Sequence, residues 1–402
     1  MKKFLSIALA LLMVCVMLPV VALAEGTTLP TAENGVITMK EDTTLVSDAT
    51  FTSGNTTIDL GGKTLTGTIN VAYGANVTIK NGKMTGSQVI NVFGSTSENK
   101  TTLTIESDVE ISAANGFGIC IFGDGNSTSK TGASVVNLNG CKITAEAGIF
   151  VSGNLQNENG NIININGATI ESAPEIAVVV NGKATVNVNN STLKGDTAIY
   201  LKAGTVTLNN SKVIGTGVAA APEANGNGAN ATGDAIVMDS HSSYAGDMIL
   251  NIGTGNTITS TNGYALQVAN TNVISGTNVT ELNVTGSTLT GKTDAVKLSE
   301  QFVTAVATEN SGVTATVTGG TFNGNTDEIE KFIPAGSDLV IKDGKVQPRT
   351  ITIIVPGDTT PTETPKTEDQ KNPSTGANDF VGLAAAAAVV ALFGSAVVLR
   401  KK

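Results

Sequence analysis

The sequence predicts an all-β solenoid, a chain wound into coils whose strands stack in parallel. Three observations predict it. A short motif recurs: TTIDLGGKTLTG from Thr56, NVTIKNGKMTG from Asn76, NIININGATIES from Asn161, ATVNVNNSTLKG from Ala184, GTVTLNNSKVIG from Gly204 and VTELNVTGSTLTG from Val279. Each copy places two apolar residues at alternating positions, the period of a strand. Units of alternating apolar residues recur roughly every 20 to 45 residues with no amphipathic helical period between them, so their strands can only stack as a solenoid.

At the start of the chain, Lys2 and Lys3 precede an apolar stretch from Phe4 to Val21, and Ala22-Leu23-Ala24 follows. A charged start, an apolar centre and an A-x-A box predict a secretory signal peptide over 1–24. Cys15 would leave with it.

The repeat domain is expected over 25–355. Its alternating pairs are Ile58/Leu60, Val77/Ile79, Val136/Leu138, Ile163/Ile165, Val186/Val188, Val206/Leu208, Leu282/Val284 and Ala315/Val317. A bend of Asn or Gly follows each pair. Five residues beyond the pair comes another apolar residue: Leu65, Met84, Ile143, Ile170, Leu193, Val213, Leu289 or Phe322. These side chains are predicted to point inward in columns, with coils about 4.8 Å apart. A further strand follows in each unit, as in AIYL at 198–201, AIVM at 235–238, ALQV at 265–268 and AVKL at 295–298. Two polar insertions, Gly123 to Gly132 and Thr216 to Gly233, are expected to be exposed loops.

Over residues 35–347 this pattern resembles the right-handed parallel β-helix of the pectate lyase-like superfamily. The Asn residues at the bend, Asn139, Asn166, Asn189 and Asn209, resemble the stacked asparagines of that family. They are read as bend formers rather than ligands. The resemblance also implies that the outer face of the AIYL-type strand forms the binding cleft. Its inward pairs include Ile119/Ile121, Ile149/Val151, Val178/Val180, Ile199/Leu201 and Ile236/Met238, so the residue between each pair points outward. Down successive coils that row reads Asn91, Cys120, Phe150, Val179, Tyr200, Val237, Gln267, Lys297.

The candidate ligand-binding residues are Phe150, Val179, Tyr200, Val237, Gln267 and Lys297. Aromatic rings with flanking amides suit a sugar ring. An exposed apolar stripe also suits a host protein. The third reading is that the 216–233 loop folds over the stripe and hides it. A second row, Glu175, Asp196 and Asp234, sits at the start of the same strand. Carboxylates about 5 Å apart on successive coils would suit Ca²⁺, or would simply splay into water. Asp239 and His241 lie just past the strand. Cys120 falls on the outward row and Cys141 on an inward small-residue position beside Ala168 and Ser191, so no disulfide is expected between them.

Residues 356–371, PGDTTPTETPKTEDQK, cannot bury a core and are expected to form an extended stalk. The final segment, 372–402, begins Asn372-Pro373-Ser374-Thr375-Gly376. An apolar run over 380–399, long enough for a membrane-spanning helix, and Arg400-Lys401-Lys402 complete it. This layout resembles the LPxTG-type sorting signals of Gram-positive cell-wall proteins, with Asn in place of the leading Leu. The resemblance implies cleavage by a sortase between Thr375 and Gly376, and a covalent link from Thr375 to peptidoglycan.

With both ends removed, five basic residues and one acidic residue leave, and the formal charge moves from −10 to −14. That acidity argues against nucleic acid and anionic membrane as partners. Enzymatic activity finds little support in residue types. The only arginines are Arg349 and Arg400, and the single histidine sits in DSHSSY. The outward row offers no pair of carboxylates for glycoside hydrolysis. The expected function is that of a wall-anchored adhesin or binding module for a glycan or host protein, with no cofactor beyond the candidate Ca²⁺. The alternative is a polysaccharide lyase or hydrolase with an atypical site, Lys297 being its candidate base.

Overall fold

The structure, a computed structural model, describes residues 26–95, 98–123, 133–153, 161–222, 229–241, 244, 246–270 and 278–349. The signal peptide, the stalk, Asn372–Gly376 and the 380–399 span lie outside the described residues. Among the described residues no helix is long and apolar enough to cross a membrane.

The described chain is a parallel β-solenoid. Its inward columns follow directly from the repeat. One runs Ile58, Ile79, Ile105, Leu138, Ile165, Val188, Leu208, Ile252, Val284, Val317, each the Cα partner of the next. A second runs Leu65, Met84, Ile111, Ile143, Ile170, Leu193, Val213, Ile258, Leu289, Phe322. All are buried in one continuous core. Three coils depart from the sequence template. In two, the apolar residue follows the pair by six positions, not five: Leu103/Ile105 with Ile111, and Leu250/Ile252 with Ile258. In the third, the expected pair Ile58/Leu60 is shifted by two, Ile58 and not Leu60 being the partner of Ile79, and a bulge carries the chain on to Leu65.

The bend between these columns explains the Asn and Gly usage. Bend residues take a left-handed conformation, as at Gly167 (φ 66°), Asn190 (φ 51°) and Asn210 (φ 49°). Most L-residues are strained there, whereas Gly is free and Asn is tolerated. The neighbouring Asn166, Asn189 and Asn209 stack as the sequence predicts. Asn189 donates to Asn166 at 3.2 Å, and Asn209 to Asn189 at 3.4 Å. A second amide ladder, Asn137–Asn164–Asn187, runs beside it at 2.9 and 3.0 Å.

The small polar residue after the bend also has a task. Ser191 Oγ accepts from Ala168 N, Ser211 Oγ from Ser191 N, Asn256 Oδ1 from Ser211 N, and Ser287 Oγ from Asn256 N. Backbone amides that would be orphaned inside the bend thus find acceptors on the next coil. Cys141 lies in the core and Cys120 on the outer face, both buried and both free thiols.

The C-terminal coils depart from expectation in two ways. A helix, α1 (Glu300–Val306), interrupts the strands, with Ser299 Oγ accepting from Phe302 N at 3.2 Å as its N-cap. Phe302 is fully buried and meets Phe332 edge-on at 5.9 Å. One turn of apolar contact is too short to show a helical period in sequence. The final pairings are antiparallel, Leu339–Lys342 and Gly320–Phe322 both bonding to Lys345–Pro348. Together these segments close the open end of the core, where another parallel coil would otherwise be needed.

Candidate functional site

The outward row is a true column. Asn91, Cys120, Phe150, Val179, Tyr200, Val237, Gln267 and Lys297 are consecutive Cα partners. It is not, however, an open stripe. Its parts have three different environments.

The middle is covered. Val179, Tyr200 and Val237 form an apolar cluster with Ile176, separate from the core, and Ala229 and Ala231 of the long insertion pack on it. Tyr200 is 1% exposed and Val237 fully buried. The 216–233 segment is therefore a cover over its described part, not simply an exposed loop. Thr232, at its end, is buried and bonds Thr197 and Asp234. Tyr200 donates its hydroxyl to Asp239 Oδ2 at 2.7 Å, and Lys202 Nζ lies 3.0 Å from the same oxygen.

Towards the N-terminal coils the row opens into a hollow of about 400 Å³. Phe150 and Val179 form its floor with Ile176, and Phe117, Tyr244, Asn181, Glu146 and Glu175 are among its walls. Phe117 and Phe150 meet at 5.7 Å, tilted by 58°. Phe117 is among the few large apolar residues left exposed. Tyr244 is held by a turn in which its amide donates to His241 O at 2.9 Å, and its ring presses on the backbone of Gly153. A Cβ at Gly153 would meet that ring at 2.4 Å, so only glycine lets the tyrosine approach. Asn181 is 3% exposed, and its Oδ1 has no hydrogen-bond partner among the described residues. Glu175 sits above its ordinary carboxylate range, through burial first and then repulsion from Glu146 and Asp196.

Towards the C-terminal coils the row opens into a second, more polar hollow of about 260 Å³. Gln267, Lys292, Lys297, Asn262 and Tyr264 line it. Lys297 Nζ lies 5.3 Å from the Tyr264 ring centre.

The predicted acidic row does not converge. Glu175 and Asp196 are on adjacent coils, Asp196 N donating to Glu175 O at 3.0 Å. Burial raises the Asp196 carboxyl as well. Asp234 is instead buried beside the second hollow. Its Oδ1 accepts from Tyr264 N and its Oδ2 from Thr232 Oγ1, both at 2.7 Å. Among the described residues no group of three or more His, Cys, Asp and Glu side chains could hold a metal ion.

Sequence reasoning missed Glu146, Asn181, Phe117 and Tyr244. A signal for one of them was available. Two residues past the outward row, the same strands read Phe93, Phe122, Ser152, Asn181, Lys202 and Asp239. That second outward row contains Asn181 and the buried ion pair. Tyr244 and Glu146 lie at a turn and a corner, where strand alternation says nothing. The outward row itself has no carboxylate, but Glu146 and Glu175 reach the hollow from the corner beside it. No protein-family model, no curated protein and no solved structure matches the chain.

Proposed function

We propose that this chain is a secreted, wall-anchored β-solenoid that binds saccharide in the hollow floored by Phe150 and Val179. The observation that carries the reading is the pairing of tilted aromatic rings with a buried amide oxygen that lacks a partner among the described residues. Aromatic faces stack on the C–H faces of a sugar ring, and its hydroxyls are the donors an unpaired amide oxygen requires. The sorting-signal layout at 372–402 supports display on a Gram-positive wall, with Thr375 carrying the link to peptidoglycan. A glycan array probed with the intact chain tests the reading. Binding that is lost in Phe150→Ala and Phe117→Ala, with the fold retained, is expected. An array with no signal removes it.

A second reading has one specific observation behind it. Glu175 is held above its ordinary range while Glu146 shares the hollow. Glycoside hydrolysis uses such a pair, one carboxyl kept protonated as acid and the other ionised. Under this reading Glu175 is the acid and Glu146 the base. Release of reducing ends from bound oligosaccharide, abolished by Glu175→Gln, would favour it over simple binding. Lys297, the other enzymatic candidate, lies in the second hollow, where Asp234 already uses both carboxylate oxygens.

A further inference from the structure

The saccharide reading leaves the two carboxylates unexplained. Glu146 and Glu175 line the hollow together with aromatic and aliphatic side chains and the amides of Asn115 and Asn181, and among the described residues no lysine, arginine or histidine lines it with them. Neutral sugars do not require paired negative charge, and partly buried like charges are costly to hold together. Asn181 adds a buried acceptor aimed into the same space. Phe117, Phe150 and Tyr244 add ring faces, which carry negative potential. The two carboxylates, the Asn181 oxygen and the ring faces each attract a donor or a cation.

We infer that the saccharide this hollow accepts carries a protonated amine, an amino sugar whose amino group is free. The inference rests on the saccharide reading and specifies its charge. An ammonium has three donors and no acceptor. It can bridge Glu146 and Glu175, removing their repulsion, and give a hydrogen bond to Asn181 Oδ1. The aromatic rings then hold the pyranose face and contribute cation–π attraction. An N-acetylated amine loses the charge and adds bulk. A plain hydroxyl keeps the donor and loses the charge.

Calorimetry on the intact chain would compare four probes: a β-1,4-linked glucosamine tetramer, its fully N-acetylated form, cellotetraose and tetralysine. The glucosamine tetramer is expected to bind at least about tenfold tighter than either neutral tetramer, the scale of one charge-assisted hydrogen bond. Glu175→Gln and Glu146→Gln should each erase that preference while leaving weak binding of all three sugars. Circular dichroism would confirm the fold of both variants. Phe150→Ala should weaken all three sugars together. Equal binding of charged and neutral tetramers, unchanged by either Glu→Gln substitution, overturns the amine inference and leaves the saccharide reading standing. No binding of any sugar overturns both. Tetralysine binding as tightly as the glucosamine tetramer overturns the assignment to a sugar, since charge alone would then suffice.

Discussion

Lys202 Nζ stands 3.0 Å from Asp239 Oδ2, and both side chains are sealed from water on the outside of the solenoid. Outer-face residues of a β-solenoid normally meet solvent. Here Ala229 and Ala231 of the long insertion pack on the cluster of Tyr200 and Val237, and the polar residues beside that cluster are buried and paired. The Tyr200 hydroxyl supplies Asp239 with a second donor, and Lys202 Nζ also reaches Asp239 O at 3.2 Å.

Removing one member of this pair strands the other charge. Lys202→Met should destabilise the chain by about 3–5 kcal/mol, the usual cost of an uncompensated buried charge. Lys202→Met with Asp239→Asn should recover much of that loss, because the neutral amide still accepts from Tyr200. Thermal denaturation of the two variants checks this. Equal losses in single and double variants would show that packing, not charge, governs the site.

The bend residues make a sharper test of backbone control. Asn190 sits at φ 51°. Asn190→Gly should be close to neutral, whereas Asn190→Val should cost about 1–2 kcal/mol, the penalty of a β-branched residue in left-handed backbone. The measurement is the difference in melting midpoint between the two variants. A valine variant as stable as the glycine variant would mean that the bend is reshaped rather than strained.

Much of the fold was legible because its physics is periodic. Inward aliphatics at alternating positions, and Asn or Gly where the chain turns, specify most of the columns from Ile79 to Val317, whereas a bulge after Asp59 puts Ile58 rather than the expected Leu60 beside Ile79. The coils at Leu103–Ile111 and Leu250–Ile258 were lost because one extra residue in the bend breaks the five-residue spacing without moving the side chains off their columns. The candidate site was legible only in part. Phe150 and Val179 follow from alternation. Whether Tyr200 is exposed depends on where an aperiodic insertion comes to rest, and no period encodes that. Glu146 and Tyr244 reach the hollow from a corner and a turn, again outside the repeat.

The thiols report on the two faces of one wall. Burial pushes both Cys120, on the outer row, and Cys141, in the core, up to about 12. The thiolate is the reactive form. Neither should react with a thiol reagent at neutral pH in the folded chain, and both should react once urea opens the coils. Rapid labelling of Cys120 alone would mean that the outer row near Phe150 is open to solvent.

Acid titration tests the hollow itself. Glu175 is raised by burial, then by Glu146 and Asp196, and burial raises Asp196 and Asp234 too. For a carboxyl with a raised folded-state pKa, the folded chain holds its proton over the interval between the unfolded and folded values. Stability is therefore greatest below the ordinary carboxylate range and falls as pH rises through that interval. Asp59 runs the other way. Its carboxyl is lowered, chiefly by the Gly61 amide and with help from Lys80 and Asn81, so its contribution is lost as pH falls. It lies at the surface, and screening makes its effect small. Glu175→Gln removes the ionisation without removing the side chain's size. The variant should melt higher than the parent at about pH 7, and the gap should narrow as pH falls and close below about pH 4, where the parent's Glu175 is protonated in both states. A gap of constant size across that range would mean that the glutamine packs better for reasons unrelated to charge, and that Glu146 and Asp196 do not act on Glu175 through their charge.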